Sequence, residues 1–217
     1  RIPSGWRQGT VVSIFKADDP TDCNNYRGLT LLSALDKLWG TVVANRLARY
    51  VPLHDHQYAF RPHRGTLNAL FNITTVLRER IPAGRGTFAF FLDARKAYDT
   101  VPHDALLARL AGKGVSGKLW RVIDGMYACA RSQTRVGGVC SEPFPVCRGV
   151  AQGCPLSPFL YDVFTDSLLD KVHASCAADG IGVPGLAGAR GGGAFVGQSY
   201  ADDMVGLATS AAGLQRV

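Results

Sequence analysis

Strand-like and helix-like patterns mix along this chain without a regular strand–helix–strand alternation, which predicts an α+β fold rather than a doubly wound parallel sheet. Two further observations support it. Thr87–Leu92 (TFAFFL) is a nearly continuous apolar run that ends in Asp93, the pattern of a buried central strand with a carboxylate at its end. Ala194–Tyr200 and Met204–Ala208 are two short strand patterns separated by Ala201-Asp202-Asp203, a hairpin.

The other elements follow in order. Thr10–Phe15 (TVVSIF) is β-rich and runs through Lys16 into the turn-like Ala17-Asp18-Asp19-Pro20. Leu35, Leu38, Trp39, Val42, Val43, Leu47 and Tyr50 recur at helical spacing, with Arg46 and Arg49 near the C-terminal end, where cations are favoured. Leu67, Leu70, Phe71, Val76 and Leu77 predict a second amphipathic helix, broken by 82–86. Two helical patterns centre on Leu106–Leu110 and Leu119–Tyr127. Residues 133–150 read as a pair of strands joined near Ser141-Glu142-Pro143. Ser157-Pro158 opens a helix to about Lys171, with Ser as N-cap and Pro in the first turn. Residues 180–193 form a Gly-rich connector.

Composition narrows the classes. At 217 residues the chain is one large domain or two small lobes, and 47% hydrophobic with 19% charged residues is globular rather than disordered. No run of about 18 apolar residues is present, so no membrane-spanning helix is expected. No secretory signal pattern opens the chain either. Lys and Arg number 24 against 17 Asp and Glu, and the resulting net charge of +7 suits a polyanionic partner such as nucleic acid. The six cysteines form no C-x-x-C and none has a zinc-type His partner in spacing, so free thiols in a reducing compartment are expected. With Arg1 first and Val217 in mid-pattern, the chain reads as a piece of a longer protein.

Two acidic positions carry chemistry because of where they sit. Carboxylates beside apolar strands are costly to bury unless something cationic offsets them. If the strand ending at Asp93 and the hairpin carrying Asp202 and Asp203 are neighbours in one sheet, three carboxylates converge. Like charges that close raise each other's pKa unless a metal neutralises them, and hard oxygen ligands suit Mg²⁺. Two such ions roughly 3.5–4 Å apart clamp the attacking and leaving oxygens of an in-line phosphoryl transfer. The tripeptide Ala17-Asp18-Asp19 repeats the same letters but lies among Pro20, Asp22, Asn24 and Asn25, a solvated loop, and is set aside as a metal site.

The motifs carry a resemblance. Tyr200-Ala201-Asp202-Asp203 resembles the polymerase motif of reverse transcriptases, and three further blocks stand in the family's order. Phe91-Leu92-Asp93-Ala94-Arg95-Lys96-Ala97-Tyr98-Asp99 resembles the first palm motif of non-LTR (LINE-type) retrotransposon enzymes. Arg148 through Gln152-Gly153 to Ser157-Pro158 resembles their template- and nucleotide-contacting motif. Lys16 with Asn25-Tyr26-Arg27, and Gln57-Tyr58-Ala59-Phe60-Arg61, resemble the fingers motifs. The spacing from Ala97-Tyr98-Asp99 to Leu106-Leu107, with Pro155-Leu156-Ser157-Pro158, is similar to the LINE-type branch rather than to retroviral or bacterial intron enzymes. Gly28, Ala59 and Ala151 depart from the family's usual Pro, Gly and basic residue; no metal ligand is lost.

The resemblance implies a right-hand polymerase: fingers over about 1–86 and a palm over 87–217, its antiparallel sheet packed on helices. The chain would stop after the Tyr-Ala-Asp-Asp hairpin, without the thumb that grips the duplex, so poor activity of the isolated piece is expected. By resemblance Asp93, Asp202 and Asp203 hold two Mg²⁺ ions, with Mn²⁺ as a substitute. Lys16 and Arg27 reach the incoming triphosphate, Gln152 and Gly153 lie against nucleotide and template, and Phe60 and Arg61 lie along the template. Tyr98 fills the space of a ribose 2′-hydroxyl and so favours dNTPs. The implied activity is RNA-directed DNA synthesis from a primer 3′-hydroxyl on an RNA template, with a nuclear site of action in the intact element. The alternatives are a catalytically silent nucleic-acid-binding remnant and an RNA-directed RNA polymerase, against which Tyr98 argues. His54, His56 and His103 read as surface or packing residues.

Overall fold

The computed structural model describes residues 3, 8–176, 180–181 and 195–216. In chain order its elements are β1 (Gln8–Phe15), β2 (Tyr26–Leu31), α1 (Ala34–Tyr50), α2 (Thr66–Arg80), β3 (Phe88–Asp93), α3 (Ala97–Thr100), α4 (His103–Gly112), α5 (Gly117–Tyr127), β4 (Arg131–Val136), β5 (Val139–Cys140), β6 (Phe144–Pro145), α6 (Ser157–Cys176), β7 (Gly197–Tyr200), β8 (Asp203–Ala208) and α7 (Ala211–Leu214). The fold is α+β. Two compact units interleave along the chain: Arg1–Pro52 with Lys96–Phe164, and Leu53–Arg95 with Thr165–Val217. The boundary expected near residue 86 falls inside the second.

The first unit holds a mixed sheet in the order β2-β1-β4-β5, with β6 also on β4. β1 and β2 pair antiparallel, whereas β1 and β4 run parallel, Gln8 opposite Arg131. Ser33 caps α1: its Oγ accepts the Asp36 N–H at 3.1 Å and donates to the Asp36 carboxylate at 2.7 Å. The buried face of α1 is Asp36, Gly40, Val43 and Leu47. A Cβ on Gly40 would stand 3.3 Å from the Cys154 sulfur, so the helix backbone approaches the 154–155 segment where no side chain intervenes. Leu106 and Leu110 of α4, Ile123 of α5, and Leu156 and Leu160 around the start of α6 are fully buried and supply the core.

The second unit holds a three-stranded antiparallel sheet in the order β3-β8-β7. Val76 of α2 packs with Val205 and Leu207 of β8 and with Ile181 and Phe195, and Ile73 sits against that cluster. Beyond β7 the segment 56–58 acts as a further short strand. Gln57 bridges Ser199 in parallel, the Ser199 N–H donates to the His56 carbonyl at 3.0 Å, and the Tyr58 N–H donates to the Ser199 carbonyl at 3.1 Å. His56 is buried, its ring stacked on His173 at 4.8 Å and edge-on to Phe195 at 5.1 Å.

Several expectations are corrected. β3 is not the buried central strand; it lies at the sheet edge with five of its six residues exposed, and Phe91 is 79% exposed. The central position belongs to β8, whose residues 204–208 are all buried. An apolar run shows that a strand tolerates burial, not which neighbours bury it. The pair of strands in 133–150 turns at Gly137-Gly138, both at positive φ as a tight hairpin requires, and not at 141–143, which link β5 to β6. The helix opened by Ser157 runs on past Lys171 to Cys176. Of the expected connector, residues 182–193 lie outside the described residues, as does Ala194. Among the described residues no helix is long and apolar enough to cross a membrane.

Candidate functional site

The second unit places the three carboxylates at one end of its sheet. Asp93 is the register partner of Asp203, and Asp203 in turn of Tyr200. The Ala94 N–H points to the Asp202 carbonyl at 3.4 Å. That bond flanks a non-hydrogen-bonded pair, the kind in which facing Cα atoms stand about 4.5 Å apart and side chains are nearest. Ala201 and Asp202 make the turn, Ala201 at a left-handed φ of 57°. A non-glycine residue held there costs about 1–2 kcal/mol, strain of the kind that clusters at functional turns.

Asp93 and Asp203 are exposed and Asp202 is half-buried. None of the three forms a salt bridge among the described residues. Three hard oxygen donors at one strand end fit a divalent cation chemically. The expected convergence, however, is a property of the backbone and not of the side chains: among the described residues no three Asp, Glu, His or Cys groups are gathered closely enough to hold an ion. Like charges on facing residues favour rotamers that point apart.

The first unit carries the other predicted residues. Lys16 ends the β1–β2 hairpin, its N–H donating to the Asn25 carbonyl at 2.9 Å, and Arg27 sits opposite Ile14; both side chains are exposed. In the loop between them Asp19 accepts from the Thr21 N–H at 2.8 Å and the Thr21 hydroxyl at 2.7 Å, which hold its carboxyl below the usual range. That aspartate serves its own turn. The Val150 N–H donates to the Tyr98 carbonyl at 2.8 Å, and the Thr30 N–H to the Gln152 carbonyl at 2.7 Å. The backbone thus laces Tyr98, the 150–153 loop and the strand of Arg27 into one assembly. Gly153 is at φ +116°, and a Cβ there would lie 2.6 Å from the Thr30 carbonyl oxygen, so the close approach needs glycine. The Tyr98 ring stacks nearly parallel on Tyr161 at 5.0 Å.

Phe60 and Arg61 are in the second unit. Phe60 is half exposed at φ +51°. Arg61 turns inward in part, its Nη1 donating to the carbonyls of His54 at 2.7 Å and Gln57 at 3.0 Å. His103 in the first unit bonds the Gly149 carbonyl at 2.8 Å and packs on Tyr127.

Sequence reasoning missed Tyr161 and Asp99. Asp99 accepts from the Gln152 amide at 3.4 Å, and a cavity of about 350 Å³ opens beside them, bounded also by Gly9, Gly28, Trp39 and Arg148. Asp99 stood in view, one residue past Tyr98; Tyr161 sits in α6 with no local signal of its partner.

Residues 14–217 match the family described as Reverse transcriptase (RNA-dependent DNA polymerase). The chain is 30% identical over 205 residues to a Pol polyprotein from the type-1 retrotransposable element R2 of Popillia japonica, covering 94% of this chain and 28% of that one. It is 32% identical over 172 residues to a probable RNA-directed DNA polymerase from transposon BS of Drosophila melanogaster, covering 77% and 19%. The matched part of the chain therefore spans between about a fifth and somewhat over a quarter of the length of these relatives. In fold it is similar to a telomerase from Candida tropicalis solved with a fragment of telomeric RNA, with a TM-score of 0.66 at 13% identity over 99% of this chain and 38% of that one.

Proposed function

The chain belongs to the reverse transcriptase family, on the branch of non-LTR retrotransposons that its curated relatives represent, and from that premise we propose that it contributes the RNA-directed DNA polymerase activity of such an element. The observation that carries the reading is the register pair Asp93–Asp203, with Asp202 in the adjoining turn, at the exposed end of the second unit's sheet. Enzymes of this family use divalent metal ions. We assign Mg²⁺, with Mn²⁺ as substitute, to Asp93, Asp202 and Asp203. When bound, such ions lower the charge barrier between a primer 3′-oxygen and a triphosphate.

The chain's own residues do the rest. Asp93 and Asp203 present two carboxylates from one rigid strand pair, and the short turn fixes Asp202 one residue away. Lys16 and Arg27, exposed and without an ion-pair partner among the described residues, offset triphosphate charge. Tyr98, backed by Tyr161, presents a flat wall against which a deoxyribose fits and a 2′-hydroxyl does not. Gln152 and Gly153 lie against the nucleotide, Gly153 letting the backbone close in. Phe60 and the outward face of Arg61 line the template strand. The substrates on this reading are dNTPs, a DNA primer and an RNA template, and the place of action is the nucleus.

The test is primer extension on an RNA template with dNTPs and Mg²⁺, using the chain joined to a thumb that grips the duplex, as wild type and as Asp202→Asn. Template-dependent DNA synthesis that Asp202→Asn abolishes is the expected result. Equal synthesis by the variant overturns the metal-holding role. RNA binding that weakens with salt, with no synthesis under Mg²⁺ or Mn²⁺, favours a silent binding remnant instead.

A further inference from the structure

Gln198 is a polar residue in the middle of β7, only 2% exposed and opposite Val205. A buried amide is unfavourable unless its donor and acceptor are both used. Here both are: Nε2 donates to the Ala69 carbonyl at 2.8 Å and Oε1 accepts from Asn72 Nδ2 at 3.3 Å. Asn72 Nδ2 also bonds the Tyr58 hydroxyl. Both partners of Gln198 lie on α2, one turn apart.

Among the described residues α2 also meets the sheet through the apolar cluster of Val76, Ile73, Val205 and Leu207. Apolar packing is non-directional and leaves a strand free to slide along a helix by a fraction of a residue. The two-ended amide does not. A second clamp holds β7 from its other side, where Ser199 exchanges backbone bonds with His56 and Tyr58, and Tyr58 is the residue whose hydroxyl meets Asn72. Gln198, Asn72 and Tyr58 thus close a loop of directed bonds around the strand that leads through Tyr200 into Asp202 and Asp203.

We infer that Gln198, with Asn72, is a positioning residue for the carboxylate turn: it fixes β7 along α2 and thereby fixes the height of Asp202 and Asp203 against Asp93. This rests on the metal-holding role proposed above for those carboxylates. Leucine fills nearly the volume of glutamine, so Gln198→Leu keeps the packing and removes the direction.

The experiment is amide hydrogen exchange on the full chain, wild type against Gln198→Leu, Asn72→Leu and the double variant, with Mn²⁺ affinity read by electron paramagnetic resonance. Exchange at residues 200–203 is expected to rise about tenfold more than exchange in α2 and β3, the weight of one buried hydrogen bond. Mn²⁺ binding is expected to weaken by a similar factor, with Asn72→Leu the milder single variant because it leaves the Gln198–Ala69 bond, and the double variant to lie close to Gln198→Leu, which already removes the bond to Asn72. Unchanged exchange at 200–203, or a uniform rise across the second unit, overturns the inference by reducing Gln198 to ordinary packing. Should Gln198→Leu fail to fold, Asn72→Ala on the half-buried side of the same bond gives the same reading. Asp202→Asn separates the two layers. If it leaves Mn²⁺ affinity unchanged, the metal-holding role fails, while the exchange pattern still decides the positioning role.

Discussion

Asp93 and Asp203 face each other as a register pair at the closely spaced, non-hydrogen-bonded position of the β3–β8 ladder. Like charges directly opposite in a sheet are destabilising by about 0.2–1 kcal/mol. A pair selected for folding alone would not be two aspartates. In metal-free buffer Asp93→Asn and Asp203→Asn are therefore expected to be slightly more stable than wild type, by about that amount in urea denaturation, while losing primer extension. Adding Mn²⁺ should raise the melting temperature of the wild type and leave both variants nearly unmoved, because a ligand stabilises only the state that binds it. Variants less stable than wild type without metal, yet equally responsive to Mn²⁺, would remove the functional reading of the pair.

Gly153 and Gly84 separate two costs of replacing a left-handed glycine. Gly84 is at φ +65° with open space around its Cα, so Gly84→Ala should cost about 1 kcal/mol from backbone strain alone. Gly153 adds a collision with a backbone oxygen, which cannot rotate away. Gly153→Ala is expected to cost about 2–4 kcal/mol in chemical denaturation, or else to displace the 150–153 loop from Thr30. Exposure of the Thr30 amide to hydrogen exchange would report the second outcome. Equal, small effects at both positions would show that the loop yields freely.

The helices were legible in the sequence and their buried faces only in part. Of the apolar stripe of α1, Val43 and Leu47 are buried, yet Leu35 and Leu38 are 60% and 62% exposed, and the buried line begins at Asp36 and Gly40 instead. A capped carboxylate and a glycine admit a neighbouring backbone, and neither counts in a hydrophobic period. In α2 the expected stripe buries Val76, while Leu67, Leu70 and Phe71 stay exposed and Ala69 is buried between them. Each carboxylate was legible because it breaks an apolar strand pattern, and the strand pairing then places two of them face to face. The partners that hold those strands were hidden: Gln198 finds Ala69 and Asn72 across more than a hundred residues, and no local pattern reports such a bond.

The Tyr98 ring stacks on Tyr161 at 5.0 Å, and its backbone carbonyl accepts from the Val150 N–H. Sugar selection by this wall is steric. Tyr98→Phe should therefore keep the preference for dNTPs, while Tyr98→Ala should raise ribonucleotide relative to deoxyribonucleotide incorporation by about tenfold or more. Competition of matched dNTP and rNTP in single-nucleotide extension measures this directly. Unchanged selectivity in an active Tyr98→Ala variant would assign the residue to packing.

The stacked imidazoles of His56 and His173 make the second unit sensitive to acid. Burial, reinforced by the facing His173 and His54, pushes His56 down to about 4; Asp55 opposes this weakly, and Arg64 adds to it. Burial also lowers His173, in spite of its bond to the Gly197 carbonyl. An unfolded histidine titrates near 6.5, so between about 6.5 and 4 the unfolded chain binds a proton that the folded chain refuses. Stability from His56 is thus fully present above about 6.5 and is lost as the pH falls toward 4. The loss from His56 between pH 7 and pH 5 is about 2 kcal/mol, before most carboxylates titrate, and His173 adds in the same direction. His56→Phe keeps a ring against His173 and Phe195 and removes the proton site. Urea denaturation at pH 7 and pH 5 should show the variant losing about 2 kcal/mol less than wild type. An equal loss in both proteins would mean that His56 takes its proton in the folded state as readily as in the unfolded one, with the stack opening to admit it.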